Sequence, residues 1–170
     1  MARRSWDIAW RNRPREEAAL FNAAFCCELV ARAAVDYDAA RATALPIVFS
    51  FLIVPLVMHP GTRDILPGRA STAFGSWVVV HHDILVHVPD RVEKLRPVVR
   101  EALLFGLQVG ALRVDGGGLA VGDRPMRLGA RLATTTDEAD AMRRAAALLG
   151  RWFGAQPEPA AVLQGFGVRP

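Results

Sequence analysis

A chain of 170 residues, 52% hydrophobic and 22% charged, is long enough to bury one sizeable core and too apolar to be a disordered tail. Its net charge of +4 and sequence pI near 10.0 suggest a nucleic-acid partner, yet residues 1–15 hold five arginines (Arg3, Arg4, Arg11, Arg13, Arg15) against Asp7 alone. The rest of the chain is electrically balanced, which argues against a domain that wraps DNA with its whole surface.

The arm opens the chain with Trp6 and Trp10 among its arginines, an arrangement that suits stacking on bases or fastening to a protein surface. Pro14, followed by Glu16 and Glu17, fits a helix start, and Asn22 offers a second N-cap. From there to about Ala40 the segment reads as helix, apolar over so much of its circumference that it is buried on more than one side. A break follows near Thr43 to Pro46. The run Ile47 to Met58 is apolar without periodicity, so helix and strand stay open over 46–58; its length favours a helix kinked at Pro55. Leu45 to Met58 is too short for a membrane span, which needs about 20 apolar residues, and contains two prolines and a serine.

His59–Arg63 reads as a turn, as does Leu66–Gly68. Ser71 to His82 reads as a helix with Phe74 and Trp77 inward, although its β-branched Val78 to Val80 leave helix and strand open over 78–88. Ile84 to Val88 reads as extended or irregular. Asp90–Leu95 and Pro97–Leu107 read as a helical pair, with Leu103, Leu104 and Leu107 as the apolar stripe. Two short alternating segments around Asp115-Gly-Gly-Gly118 predict a β-hairpin near 111–121. Thr135 with Glu138 predicts a capping box, opening a last long helix whose Met142, Ala146, Leu149 and Trp152 face the core. Pro157 and Pro159 precede a tail. The organisation is thus a basic N-terminal arm over 1–15, a single mostly helical domain over 16–155 and a C-terminal tail over 156–170.

The side chains that carry chemistry are sparse. Lys94 is the one lysine, and no Gly-rich turn leads into Lys-Ser or Lys-Thr, so there is no phosphate-binding P-loop. Cys26 and Cys27 are adjacent in an apolar helix, where neighbouring side chains diverge by about 100° and do not bridge. They read as reduced, buried, structural thiols of a cytoplasmic protein. His59, His81, His82 and His87 with Asp83 lack the i, i+4 spacing of helical metal ligands and read as solvent-facing or partner-facing histidines. No Gly-x-Ser-x-Gly turn accompanies them, and the Gly116–Gly118 loop returns as a strand where a phosphate cradle would feed a helix. The reading is therefore no catalytic residue, no metal and no cofactor.

A series of short signatures resembles a known family. Arg13-Pro14 with Glu16, Leu20 to Cys26, Tyr37, Leu45-Pro46, Phe51 to His59, Thr62-Arg63, Leu66-Pro67, Trp77, Arg91, and Pro97 with Glu101 to Gly106 occur in the order seen in the middle component of bacterial three-component ABC ATPase systems, over roughly residues 10 to 110. In that family the early motif usually runs Asn-Pro-Ala-Phe-Cys; here Ala23 replaces the proline. The resemblance implies a counter-invader defence role and a small non-enzymatic adaptor between a co-encoded ABC-type, SMC-like ATPase and an effector or sensor.

The fold expectation is mainly α with a small β-hairpin, in a winged-helix-like arrangement on one reading. For the adaptor, Trp6, Trp10, Arg11, Arg13, His59, Thr62 and Arg63 are the candidate partner-binding residues. The alternative is a winged-helix DNA-binding regulator using Arg3, Arg4, Arg100 and Arg113. A metal-dependent enzyme on His81, His82 and His87 is a third reading. Apolar Ala-rich helices also allow a homo-oligomer, because periodicity reports which face is apolar and not what covers it.

Overall fold

The computed structural model describes residues 21–128 and 135–169, together with Asn12, Pro14, Arg15 and Ala18. Trp6, Trp10, Arg3, Arg4, Arg11 and Arg13 of the arm lie outside the described residues. Helix α1 (Ala23–Arg41) starts where the sequence says, because the Asn22 carboxamide oxygen accepts from the N–H groups of Ala24 (2.8 Å) and Phe25 (3.2 Å). It is buried over much of its circumference: Cys26, Cys27, Leu29, Val30, Ala33, Ala34 and Tyr37 are all within the core.

The expected break at Thr43 to Pro46 contains a strand, β1 (Leu45–Pro46), and the apolar run resolves into a helix, α2 (Ile47–Met58), with Pro55 inside it. The turn expected at His59–Arg63 is instead the start of helix α3 (Pro60–Ile65): Pro60 presets the first helical φ, and His59 is its N-cap. Helix α4 (Phe74–Val80) does turn Phe74 and Trp77 inward. Residues expected to be extended or irregular after it form a helical turn, α5 (His82–Leu85), and then α6 (Val88–Gln108) begins.

Helix α6 corrects two further expectations. It is one continuous helix and not a pair, because Pro97 lies on an exposed face where the carbonyl it leaves unbonded reaches water. Its buried stripe is Val88, Val92, Val99, Ala102, Leu103 and Gly106, whereas Leu104 is 56% exposed and Leu107 39% exposed.

The hairpin forms as expected from β2 (Leu112–Asp115) and β3 (Gly118–Val121), antiparallel with Asp115 opposite Gly118. Its two-residue turn has φ of 54° at Gly116 and 82° at Gly117, the left-handed pair that fits strand twist and that glycine adopts without strain. Strand β1 joins on the other edge of β3, Leu45 opposite Leu119, giving a three-stranded sheet of order β1-β3-β2.

Helix α7 (Asp137–Gly154) is capped by Thr136, whose hydroxyl accepts from the Ala139 N–H at 3.1 Å. The capping box expected from Thr135 and Glu138 is absent: Thr135 accepts from Arg143 (3.3 Å), and Glu138 is engaged by Arg63. Helix α8 (Pro159–Gly165) follows, and Val162, Leu163 and Phe166 bring the segment after Pro157 into the core. Among the described residues no helix is long and apolar enough to cross a membrane.

Helices α1 and α7 pack face to face along their lengths. At one end Arg143 grips both oxygens of Glu28 (2.8 and 3.0 Å) and Arg32 adds a third bond at 2.9 Å, all three side chains being less than one-fifth exposed. In the middle Asp36 pairs with Arg151. At the far end Arg41 donates to the carbonyls of Gln156 (2.5 Å) and Pro157 (2.7 Å), just beyond the C-terminus of α7. Between these clamps the backbones approach so closely that a Cβ on Gly150 would lie 2.9 Å from Ala33 Cα, and nearer still to its carbonyl oxygen. Gly154 makes room for the Ala40 methyl, which a Cβ there would meet at 2.9 Å.

Beside this pair, Trp152 sits fully buried against Phe74 (5.2 Å between ring centroids) and Trp77 (4.9 Å), its indole N–H donating to Thr72 C=O at 2.8 Å. Burial also pushes the thiols up, Cys26 to about 12, helped by Cys27 and Glu101, and Cys27 to about 11, helped by Glu28. Both are unbridged and stay protonated at neutral pH.

The spacing at Gly150 yields a stability prediction. Gly150→Ala gains helix propensity, about 1 kcal/mol, but forces α1 and α7 apart; the expected net loss is about 2 kcal/mol, a fall in Tm of roughly 4–8 °C. Gly75→Ala, on the exposed side of α4 where a Cβ meets nothing, is expected to stabilise by about 0.5 kcal/mol. Thermal melts of both variants check the contrast, and equal shifts would contradict the close approach.

Candidate partner-binding surface

Helices α3, α4 and α5 form a small lobe that follows α2 and leads into α6. Its attachment is built from a proline-led helix start and one buried hydroxyl. His59, the N-cap of α3, accepts at Nδ1 from the Thr62 N–H (3.1 Å) and contacts Thr62 Oγ1 at 3.1 Å. Thr62 is fully buried, and its Oγ1 accepts from Arg91 of α6 at 2.6 Å, which leaves its own proton for His59 Nδ1. That arrangement requires the neutral imidazole with its proton on Nε2. Burial first, then the charges of Arg91 and Arg63, hold His59 below the ordinary imidazole value. Burial likewise lowers Arg91.

Arg63 completes the attachment. Its side chain is only 8% exposed, and it donates to Val57 C=O (2.6 Å) near the C-terminus of α2 while pairing with Glu138 in the first turn of α7. On the far side, Trp77 donates from its indole to Ile65 C=O at 2.8 Å, tying α4 to the end of α3, and its ring lies 5.0 Å from that of His81. Trp77 and Arg91, distant in sequence, thus meet the Thr62–Ile65 segment around one lobe.

The lobe leaves a run of large apolar side chains in solvent. Val79 is 77% exposed, Val80 73% and Val86 55%, flanked by exposed His82 and His87. These valines end a short helix, where β-branched residues gain nothing from local propensity and nothing among the described residues covers them. Clustered exposed apolar side chains of this kind mark contact surfaces.

Of the sequence-predicted site residues, His59, Thr62 and Arg63 are brought together, but Thr62 and Arg63 spend their polar groups inside the chain. They build the lobe's attachment, and His59 alone of the three is exposed. Arg100 and Arg113 are exposed and lie on different elements, α6 and β2, with Arg113 paired to Asp115 at 2.9 Å. The valines carried no sequence signal beyond an unusual β-branched triplet before two histidines, and Glu138 was legible only as a helix-capping residue. Among the described residues no three His, Cys, Asp or Glu side chains gather as a metal set.

The hydrogen bonding at His59 sets a pH dependence. Because the folded chain resists protonating this ring, the unfolded chain takes up the proton first, near its ordinary pKa of about 6.5. His59 is therefore expected to contribute a loss of stability as pH falls below about 6.5, ending once the folded ring also protonates. Denaturant titrations from pH 7 to 5 check this: His59→Asn, which keeps a capping oxygen but does not titrate, should flatten the slope over that interval.

The family described as ABC-three component (ABC-3C) system Middle Component 3 matches this chain over residues 10–170. Neither the curated proteins nor the solved structures yield a match.

Proposed function

The chain belongs to the ABC-three component system Middle Component 3 family, and from that premise we propose that it acts in the cytoplasm as a non-enzymatic adaptor. It links a co-encoded ABC-type ATPase to an effector or sensor in antiviral defence. A middle component is by name one of several co-acting parts. The observation that carries the reading is the lobe: Val79, Val80 and Val86 are held out in solvent by an attachment of buried hydrogen bonds through Thr62, Arg63 and Arg91. A rigid mount for exposed apolar side chains suits docking, because little order remains to be imposed on binding.

A second reading, a winged-helix DNA-binding regulator, has one observation in its favour. Helix α1, strand β1, helix α2 and, after the three short helices of the lobe, helix α6 leading into a hairpin, with β1 on the edge of β3, resemble a winged helix carrying an insertion. The charges favour protein over DNA. The hairpin's one arginine, Arg113, is paired with Asp115, its turn is glycine, and α6 exposes Leu104 and Leu107 close to the hairpin.

Co-expression of the chain with the products of its neighbouring genes tests the adaptor. The expected outcome is co-purification of the ATPase and the effector with the wild-type chain, and loss of at least one of them from Val79→Asp/Val80→Asp with an unchanged melting temperature. Failure of both neighbours to co-purify would sink the adaptor. Duplex DNA binding that weakens steeply with salt would favour the regulator.

A further inference from the structure

Away from the valine lobe, a groove of about 180 Å³ runs between the start of α2, the middle of α6 and the chain after α8. Its floor is apolar, formed by Val48, Phe51, Val92, Leu163 and Val168. Arg96, Arg100 and Arg169 stand along it, and no carboxylate is among its lining residues. Arg96 has a partner outside the groove, Glu93 at 2.8 Å, but both side chains are 59% exposed, so a better-placed carboxylate can replace that surface pair.

The volume is below the about 300–1,000 Å³ of pockets that enclose drug-sized ligands and suits one or two apolar side chains. The spacing of the cations narrows the occupant further. Arg96 and Arg100 are one turn apart on α6, a rise of about 6 Å. Alternate residues of an extended chain are about 6.6 Å apart and point the same way, while the residue between them points to the opposite side. Two acidic residues flanking one apolar residue would therefore place carboxylates at the two guanidinium groups and the apolar side chain on the floor. The same face of α6 continues through Leu104 and Leu107, both exposed, so it extends the apolar track beyond the arginines.

We propose that this groove docks an extended segment of a partner protein in which acidic and apolar residues alternate. Charge complementarity selects the segment and the apolar floor anchors it. A single-stranded nucleic acid fits less well, because its bases need flat stacking platforms and the floor offers one aromatic ring among aliphatic side chains. That the segment belongs to another component of the system rests on the adaptor reading.

The test is fluorescence anisotropy of the full chain with a labelled (Glu-Leu)4 peptide at low and moderate salt. Saturable, salt-weakened binding is expected, reduced roughly tenfold by Arg100→Glu and abolished by Arg96→Glu/Arg100→Glu, with Val168→Asp also weakening it and Arg113→Glu neutral. Should charge reversal lower the melting temperature, Arg100→Gln removes the charge without repulsion and is expected to weaken binding in the same direction. Absence of saturable binding, equal binding by the variants, equal binding of (Lys-Leu)4, or tighter binding of oligo(dT) would overturn the proposal. A dimer that Arg100→Glu dissociates in sedimentation would also overturn it, assigning the groove to a second copy. The groove and the adaptor fail separately. If Arg96→Glu/Arg100→Glu keeps both partners and the wild-type chain ignores the peptide, the groove falls alone; if the peptide binds but neither neighbour co-purifies, the adaptor falls alone.

Discussion

The backbone contact between α1 and α7 is the constraint on which the rest of the molecule depends. It exists because Gly150 lets the backbone of α7 lie directly on that of Ala33, while Gly154 leaves room for the Ala40 methyl alone. Close approach multiplies dispersion contacts but removes any means of adjusting the fit, so orientation is set at the edges. The Glu28–Arg143 grip, the Asp36–Arg151 pair and the Arg41 cap do this along one side of the pair. With α1 enclosed by α7 and α6, α2 has a fixed surface to lie on, and the sheet closes over the end of α1.

What was legible in the sequence was whatever depends on neighbours in the chain. Asn22 bonds N–H groups two and three residues on, so its cap could be read directly, as could the hairpin, whose turn is a glycine pair flanked by alternation. Strand β1 was illegible because two residues carry no periodicity, and only pairing with Leu119 and Gly118 makes them a strand. Pro97 misled because the cost of proline in a helix depends on whether the orphaned carbonyl reaches water, a property of burial. The cap of α7 moved by one residue because threonines stand in a row from 134 to 136, and distant Arg63 claims the glutamate that would have completed the box at Thr135.

The same division holds at the candidate site. His59, Thr62 and Arg63 could be grouped because they are sequence neighbours, but whether their polar groups face a partner or the interior was decided by Arg91, Val57 and Glu138, which lie on three other elements. Thr62 and Arg63, picked as contacts, spend their polar groups inside the chain and leave Val79, Val80 and Val86 in solvent. The lobe and the groove each combine apolar area with polar groups at the border, the composition of contact surfaces.

The reach of the clamps has a consequence for how the molecule comes into being. Glu28 meets Arg143 across 115 positions, and Arg41 meets Pro157 across 116. While the chain is being synthesised, α1 and α2 emerge with their apolar surfaces complete and the helix that encloses them still untranslated. Closing such separations costs entropy before any contact rewards it, and the waiting surfaces are exposed to aggregation. Closure of the fold therefore waits until α7 and the segment after it have been made. The lobe, pinned through Arg63 to Glu138, and the groove, lined by Leu163 and Val168, are complete only once those elements dock.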